Sequence, residues 1–161
     1  MSPPIRVLFV CTANACRSQM AEAMLRHQGR DRFTVSSAGI RPIDRIHPLA
    51  RAVIESLGLS ADGLSPKGIE RLAGTTFDIV ITLCNSAACL LPTDWLGRPV
   101  IVNWSLTDPV TYPGRDDERI ALAHQVGCKL DRMIESLVAV PFEELTATQI
   151  QSRLVRIGRC M

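Results

Sequence analysis

Strand-like and helix-like stretches alternate along this chain, and this alternation restricts the fold more than any other feature of the sequence. Apolar or alternating runs predict strands at residues 5–10, 33–37, 77–83 and 99–104. Helical spacing of apolar residues predicts helices at residues 18–27, 48–57 and 116–140, with a shorter helix near 69–73. This order is typical of an α/β fold, in which a mostly parallel sheet lies between helices on both faces.

The length of 161 residues fits one compact domain. We expect that domain to span residues 1–140 and a C-terminal tail, residues 141–161, to follow it. Apolar residues of the tail lie near one helical stripe, at Leu145, Ile150, Leu154 and Ile157. The tail is therefore predicted to be an amphipathic helix that is packed or solvated, rather than a membrane or partner segment.

Composition and charge exclude several classes of function. The net charge of +2 and the aromatic content of 4% give no footprint for nucleic acid. The longest apolar runs, such as residues 7–11, are far shorter than the ~20 residues that cross a bilayer, and the N-terminus has no signal-peptide pattern. We therefore expect a cytoplasmic protein that binds neither nucleic acid nor membrane. Six cysteines in such a compartment indicate catalytic, redox or metal chemistry rather than structural disulfides.

Three residues with chemically useful side chains follow predicted strands. Cys11 follows the first strand, Cys84 the third and Asp108 the fourth. Because open parallel sheets bind ligands outside the carboxyl ends of their strands, we expect these three side chains on one rim of the sheet.

A candidate oxyanion-binding loop joins the first strand to the first helix with the spacing C-x5-R-S. After Cys11 it contains Thr12, Ala13, Asn14, Ala15, Cys16, Arg17 and Ser18. A loop of this length can wrap a tetrahedral anion with inward N–H groups, the positive end of the helix and a bidentate guanidinium from Arg17. The same donors would stabilise a nucleophilic thiolate at Cys11. We expect Asn14 to adopt a positive φ, and Ser18 to cap the helix or donate to the sulfur.

Several ordered motifs resemble the low-molecular-weight protein tyrosine phosphatase superfamily and, within it, the thioredoxin-coupled arsenate reductases. The resemblance covers about residues 5–140 and rests on CTANACRSQMAE (11–22), VSSAGI (35–40), IVITLC (79–84), CLLP (89–92) and NWSLTDP (103–109). It implies a four-stranded parallel sheet of flavodoxin-like type, flanked by helices in three layers. It also implies reduction of arsenate to arsenite, a part in arsenical resistance, and no cofactor.

The mechanism that the resemblance implies is a cysteine relay. The Cys11 thiolate attacks arsenic(V) held in the loop by Arg17 and the backbone, while Asp108 protonates the leaving oxygen. Cys84 then attacks Cys11, which releases arsenite, and Cys89 attacks Cys84 to leave a final disulfide that thioredoxin reduces. If the first and third strands are neighbours, the first exchange lies within disulfide reach. We expect a monomer that binds arsenate, with phosphate or sulfate as analogues.

The chain departs from the family pattern at several positions. We expect residues 85–88 to rearrange for the second exchange. Four residues separate Cys84 from Cys89, where six are expected in relatives. Ala13 stands where the family usually has glycine, and Gln19 and Val110 replace a proline and an aromatic residue that tyrosine phosphatases favour. The last two differences favour the reductase.

A cation subsite in some relatives also maps onto this chain. It would use Asn14, Glu22, Ser37 and Lys67. Lys67 stands in the position of the acidic ligand, so we expect its ammonium to replace a potassium ion.

Two other functions remain open. The first is hydrolysis of phosphotyrosine or another phosphomonoester by Cys11, Arg17 and Asp108 alone, which could persist as a residual activity of a reductase. The second is a zinc module built from the pairs Cys11/Cys16 and Cys84/Cys89. Cys16 is otherwise interpreted as a packing thiol, and Cys128 and Cys160 are given no role.

Overall fold

The computed structural model describes residues 2–159 and places four strands in one parallel sheet. The strands are β1 (Ile5–Cys11), β2 (Phe33–Gly39), β3 (Ile79–Thr82) and β4 (Val100–Asn103). Their spatial order is β2-β1-β3-β4, so β1 pairs with both β2 and β3. The predicted α/β fold with a four-stranded parallel sheet is confirmed, and so is the adjacency of the first and third strands.

In the part of the chain that the structure describes, five α-helices connect or follow these strands. They are α1 (Arg17–Gly29), α2 (Pro48–Ser56), α3 (Asn85–Leu90), α4 (Asp116–Val138) and α5 (Ala147–Arg159). Short 3-10 helices lie at Arg30–Arg32, Ile69–Leu72 and Phe142–Glu144. The sequence predicts α1, α2 and α4 to within two residues at each end. It does not predict α3, because six residues are too few to show a helical period.

The two central strands form the middle of the core. Residues 7–10 of β1 are fully buried and all of β3 is buried, which explains why both read as continuous apolar runs. α1 packs on β1 and β2, and it also contacts α2 and α4. The carboxyl ends of β1 and β3 lie side by side, with Val10 paired to Thr82.

The C-terminal tail contains helix α5, as its apolar stripe predicts. α5 packs on the edge strand β4 and on α4, with Leu154 fully buried. Within residues 2–159 no helix combines the length and the apolar content that a bilayer crossing requires. Cys160, to which the sequence assigns no role, lies outside the described residues.

Candidate active site

The three strand-end residues do meet on one rim of the sheet. Cys11 is the last residue of β1, and Cys84 lies two residues past the end of β3, directly before α3. The Cys84 sulfur lies 3.4 Å from the Thr12 hydroxyl, and the Asp108 carboxylate lies 3.4 Å from the Arg17 guanidinium. Topology therefore brings both cysteines and the carboxylate to the loop that follows β1.

The carbonyl groups of residues 11–16 all point away from the centre of the loop. Each accepts a hydrogen bond of 2.8–3.2 Å from outside it. The donors, in loop order, are the backbone N–H groups of Ile40, Arg41 and Ile43, the side-chain amide of Gln19, and the backbone N–H groups of His47 and Met20. The segment 40–47 thus braces the loop along its outer edge.

The N–H groups of the same loop are left for a ligand. Those of residues 12–16 donate to no acceptor within residues 2–159. Asn14 adopts a φ of 53°, as predicted, which turns the backbone at the middle of the loop. Helix α1 begins at Arg17, and its N-terminus adds partial positive charge to the same space. Inward N–H groups at a helix N-terminus form an anion-binding nest.

A glycine permits this packing. Gly39, at the end of β2, pairs with Cys11. A Cβ atom built on it would lie 2.9 Å from the backbone nitrogen of Asn14 and 2.9 Å from the carbonyl oxygen of Thr12. Both neighbours are backbone atoms of the loop, so only a residue without a side chain fits here.

A directed chain of hydrogen bonds ends at the Cys11 sulfur. The backbone N–H of Lys67 donates to the Asn14 side-chain oxygen at 2.9 Å, which fixes the orientation of that amide. The Asn14 NH₂ group then donates to Ser18 Oγ at 2.7 Å. Ser18 therefore has its proton free for Cys11 Sγ, 2.8 Å away, and is the donor that would stabilise a thiolate there. Ser18 makes no cap, because Cys16 occupies the N-cap position of α1.

The same amide connects the loop to a buried carboxylate. Asn14 donates to Ser37 Oγ at 3.0 Å, and Ser37 donates to Glu22 at 2.6 Å. Glu22 is 2% exposed and pairs at 2.6 Å with Arg26, one turn further along α1. The contact that Lys67 makes with this network is through its backbone N–H, and the cation that pairs with Glu22 is the Arg26 guanidinium.

Arg17 ties the loop to the segment after β4. Its guanidinium donates to the Leu106 carbonyl at 3.0 Å and pairs with Asp108. The Asp108 carboxylate also accepts from the Val110 N–H at 2.9 Å and from the Thr111 hydroxyl at 3.1 Å. These contacts hold a partly exposed carboxyl group at the edge of the loop, where a proton donor could reach a bound anion.

Cys16 is a second buried thiol in the loop. Burial, followed by the negative charges of Asp108 and of the Cys11 thiolate, raises the pKa of Cys16 to about 12, against a smaller lowering by Arg17. Cys16 therefore stays protonated near neutral pH and is a poor nucleophile. This agrees with its interpretation as a packing thiol.

The second cysteine pair occupies α3. Cys84 is buried before the first turn, and Cys89 is exposed near the end of the helix. The five cysteines that the structure describes are all free thiols. Within residues 2–159 no three His, Cys, Asp or Glu side chains converge as a metal site would require, so the geometry gives the zinc alternative no support.

Two parts of the site were not predicted from the sequence. The brace formed by residues 40–47 carries no motif of its own, since it acts through backbone N–H groups. Arg26 could have been found, because a glutamate four residues before an arginine on a helix is a recognised ion-pair spacing.

Comparison with known proteins shows what this chain is similar to. The sequence pattern of the family described as low molecular weight phosphotyrosine protein phosphatase matches residues 6–149. A glutaredoxin arsenate reductase from Synechocystis sp. is 32% identical over 134 residues, covering 83% of this chain and 96% of that protein. The solved structure of an arsenate reductase in the phosphate binding state has a TM-score of 0.69 at 31% identity, covering 84% of this chain and 97% of its own. A thioredoxin-dependent arsenate reductase from Corynebacterium glutamicum has a TM-score of 0.61 at 27% identity, covering 84% of this chain and 62% of its own.

Proposed function

The chain belongs to the low-molecular-weight phosphotyrosine protein phosphatase family, and within that family we propose that it reduces arsenate to arsenite through a relay of thiols. The observation that carries the proposal is the second thiol: Cys84 Sγ lies 3.4 Å from the hydroxyl of Thr12, against the oxyanion loop. Hydrolysis of a phosphate ester has no use for this group. Reduction of arsenic(V) needs two electrons, and a pair of thiols supplies them.

The first step takes place inside the loop. The N–H groups of residues 12–16, the N-terminus of α1 and Arg17 hold the arsenate. The Cys11 thiolate, stabilised by Ser18, attacks arsenic, and one oxygen leaves as water after Asp108 gives it a proton. The product is a Cys11–arsenic(V) adduct in which sulfur has not yet been oxidised.

The second step transfers the electron pair. Cys84, as a thiolate, attacks the Cys11 sulfur, so an S–S bond forms while the S–As bond breaks. Arsenic keeps the electron pair of the broken bond and leaves as arsenite, arsenic(III). β1 and β3 are adjacent, and Cys84 lies against the residue that follows Cys11, so these two sulfurs belong to one small region.

In the third step the Cys89 thiolate attacks Cys84, so the Cys84–Cys89 bond forms while the Cys11–Cys84 bond breaks and Cys11 leaves as a thiolate. This step requires α3 to unwind. Cys84 and Cys89 flank a helical turn, and residues five apart in an α-helix have Cα atoms about 8–9 Å apart. A disulfide needs Cα atoms closer than about 7 Å. Formation of the Cys84–Cys89 bond therefore needs a local rearrangement of α3, which is only six residues long and has four exposed side chains besides Cys89. The new disulfide then lies near the surface.

We propose thioredoxin as the reductant of that disulfide, working in the cytoplasm on a monomeric enzyme. A thioredoxin-dependent reductase shares the fold, and a dithiol protein can attack an exposed disulfide directly. The similarity to a glutaredoxin arsenate reductase makes glutathione with glutaredoxin the rival source of electrons. Slow hydrolysis of phosphate monoesters is compatible with the same Cys11, Arg17 and Asp108, because each has a part in both reactions.

The decisive assay measures arsenate-dependent oxidation of NADPH with thioredoxin and thioredoxin reductase. We expect multiple turnovers with this system and none with glutathione and glutaredoxin. Turnover only with glutaredoxin would show that thioredoxin is not the reductant and that the relay uses fewer than three thiols of this chain. Hydrolysis of p-nitrophenyl phosphate without any arsenate-dependent oxidation would show instead that the protein is a phosphatase.

Removal of Arg26, which does not touch the substrate, is predicted to lower both stability and turnover. We infer that Arg26, rather than a potassium ion or the Lys67 ammonium, balances the buried Glu22. Arg26→Gln leaves that carboxylate unpaired, which should cost on the order of 1 kcal/mol of stability, because Arg26 is half exposed. Turnover should fall several-fold, since Glu22 orients Ser37 and hence Asn14.

The matched control for Arg26→Gln is Arg51→Gln, which breaks an exposed pair of the same i,i+4 spacing with Glu55. It should leave turnover unchanged, and Arg26→Lys should retain most of it. Wild-type turnover in potassium chloride should equal that in sodium chloride at the same ionic strength. A clear rise with potassium would place a metal ion, and not Arg26, at Glu22.

A further inference from the structure

Helix α5 is the part of this chain that lies furthest outside the family pattern. The match ends at residue 149, whereas α5 runs from Ala147 to Arg159. The helix nevertheless docks on β4 of the sheet and buries Leu154 completely. Its position is therefore set by contacts with a strand whose carboxyl end leads to the active site.

The residue that receives α5 is Trp104. It directly follows β4 and is fully buried, with its ring centroid 6.5 Å from that of Phe9. Its indole N–H donates to the Leu154 carbonyl of α5 at 2.9 Å. A buried indole N–H needs an acceptor, and here the acceptor comes from the C-terminal helix.

A glycine allows the helix to approach the ring. A Cβ atom built on Gly158 would lie 2.7 Å from Cδ1 of Trp104 and 3.3 Å from its Nε1. Alanine has a much higher helix propensity than glycine, so helix formation alone would favour alanine at this position. The benefit of Gly158 is the close contact between the backbone of α5 and the indole.

Trp104 is also the first residue of the segment that carries Asp108. Its backbone N–H donates to the Thr82 carbonyl at 2.7 Å, and the Leu106 N–H donates to the Leu83 carbonyl at 3.0 Å. The Leu106 carbonyl then accepts from Arg17, and Asp108 pairs with the same guanidinium. A displacement of the indole would therefore move the start of the segment that presents the acid.

We propose that α5 holds Trp104 and thereby positions the Asp108 segment, residues 104–111, so that Trp104 and Gly158 are positioning residues for the proton-donating step. The inference rests on the proposed function in one respect, the use of Asp108 as an acid. The oxyanion loop has its own brace in residues 40–47. Loss of the α5 contact should consequently impair turnover more than oxyanion binding.

The test compares full-length Gly158→Ala with the wild type. We expect faster hydrogen exchange in residues 104–111, where the amides of Leu106 and Val110 are now hydrogen-bonded. Exchange should be unchanged in residues 40–47, whose amides are hydrogen-bonded to the oxyanion loop. The kcat for arsenate should fall about tenfold, while KM stays within about twofold of the wild-type value. A tenfold fall is part of the 10²–10⁴-fold rate enhancement that a general acid contributes. The alkaline limb of the pH–rate profile, along which a general acid loses its proton, should change in the same variant.

Val126→Ala is the control, since it truncates a buried residue of α4 and should leave both exchange in residues 104–111 and kcat unchanged. Trp104→Phe, which keeps a ring but loses the N–H, serves as the second variant if Gly158→Ala does not fold. Unchanged exchange in residues 104–111, or a rise in KM alone, overturns the inference. If the wild type does not reduce arsenate but exchange rises as expected, the positioning by α5 is supported and the proposed function fails.

Discussion

Cys84→Ser should reduce arsenate turnover to the background of the assay while leaving oxyanion binding intact. Serine can keep the contact with the Thr12 hydroxyl, so the loop should hold its shape. It cannot form an S–S bond, so arsenic(V) bound to Cys11 has no route to accept the electron pair. Any hydrolysis of p-nitrophenyl phosphate should survive, because that reaction uses Cys11, Arg17 and Asp108. Single-turnover arsenite formation and phosphate binding by calorimetry measure the two effects.

Two further serine variants make this result specific. Cys89→Ser should form one equivalent of arsenite and then stop with a Cys11–Cys84 disulfide, which peptide mapping would detect. Cys128→Ser, an exposed thiol on α4, should behave as the wild type. Sustained arsenite production by Cys84→Ser with thioredoxin would rule out the relay, whatever its phosphatase activity.

The rim on which Cys11, Cys84 and Asp108 meet was predictable because it depends only on strand order. Each residue follows a strand that is recognisable from its apolar run, and parallel strands expose their carboxyl ends on one side. The positive φ of Asn14 was also predictable from the residue itself, since asparagine tolerates that conformation. The pairing of Ser18 with the Cys11 sulfur was one of two alternatives, and the other, a helix cap, is excluded because Cys16 occupies the N-cap position of α1.

The remaining features depend on contacts between residues far apart in the sequence. Nothing in residues 40–47 shows that their N–H groups bind the loop carbonyls. The indole of Trp104 meets the Leu154 carbonyl fifty residues later, and a tail with an apolar stripe does not reveal which strand it covers. α3 was missed for a different reason, since a helix of six residues has too few turns to show a period.

Gly39→Ala should also reduce arsenate turnover strongly, because it distorts the oxyanion loop instead of removing a thiol. Its Cβ would meet the backbone nitrogen of Asn14 and the carbonyl oxygen of Thr12 at 2.9 Å. The carbonyl groups of this loop are held by hydrogen bonds, so its backbone cannot yield as a flexible side chain could. The loop would shift outward, and its N–H groups would no longer converge on the position of the bound anion. A displacement near 1 Å costs about 10²-fold in rate, and here it should also weaken the binding of the anion.

Phosphate affinity, arsenate turnover and thermal stability should be measured together on Gly39→Ala and Gly74→Ala. Gly74 has a φ of 85° with open space around its Cα, so alanine there strains the backbone without touching the loop. Gly74→Ala should therefore lose about 1 kcal/mol of stability and keep its turnover. Gly39→Ala should lose both affinity and turnover even at temperatures where it is fully folded. Normal phosphate binding by a folded Gly39→Ala would mean that the end of β2 does not shape the oxyanion loop, and that the brace of residues 40–47 is sufficient on its own.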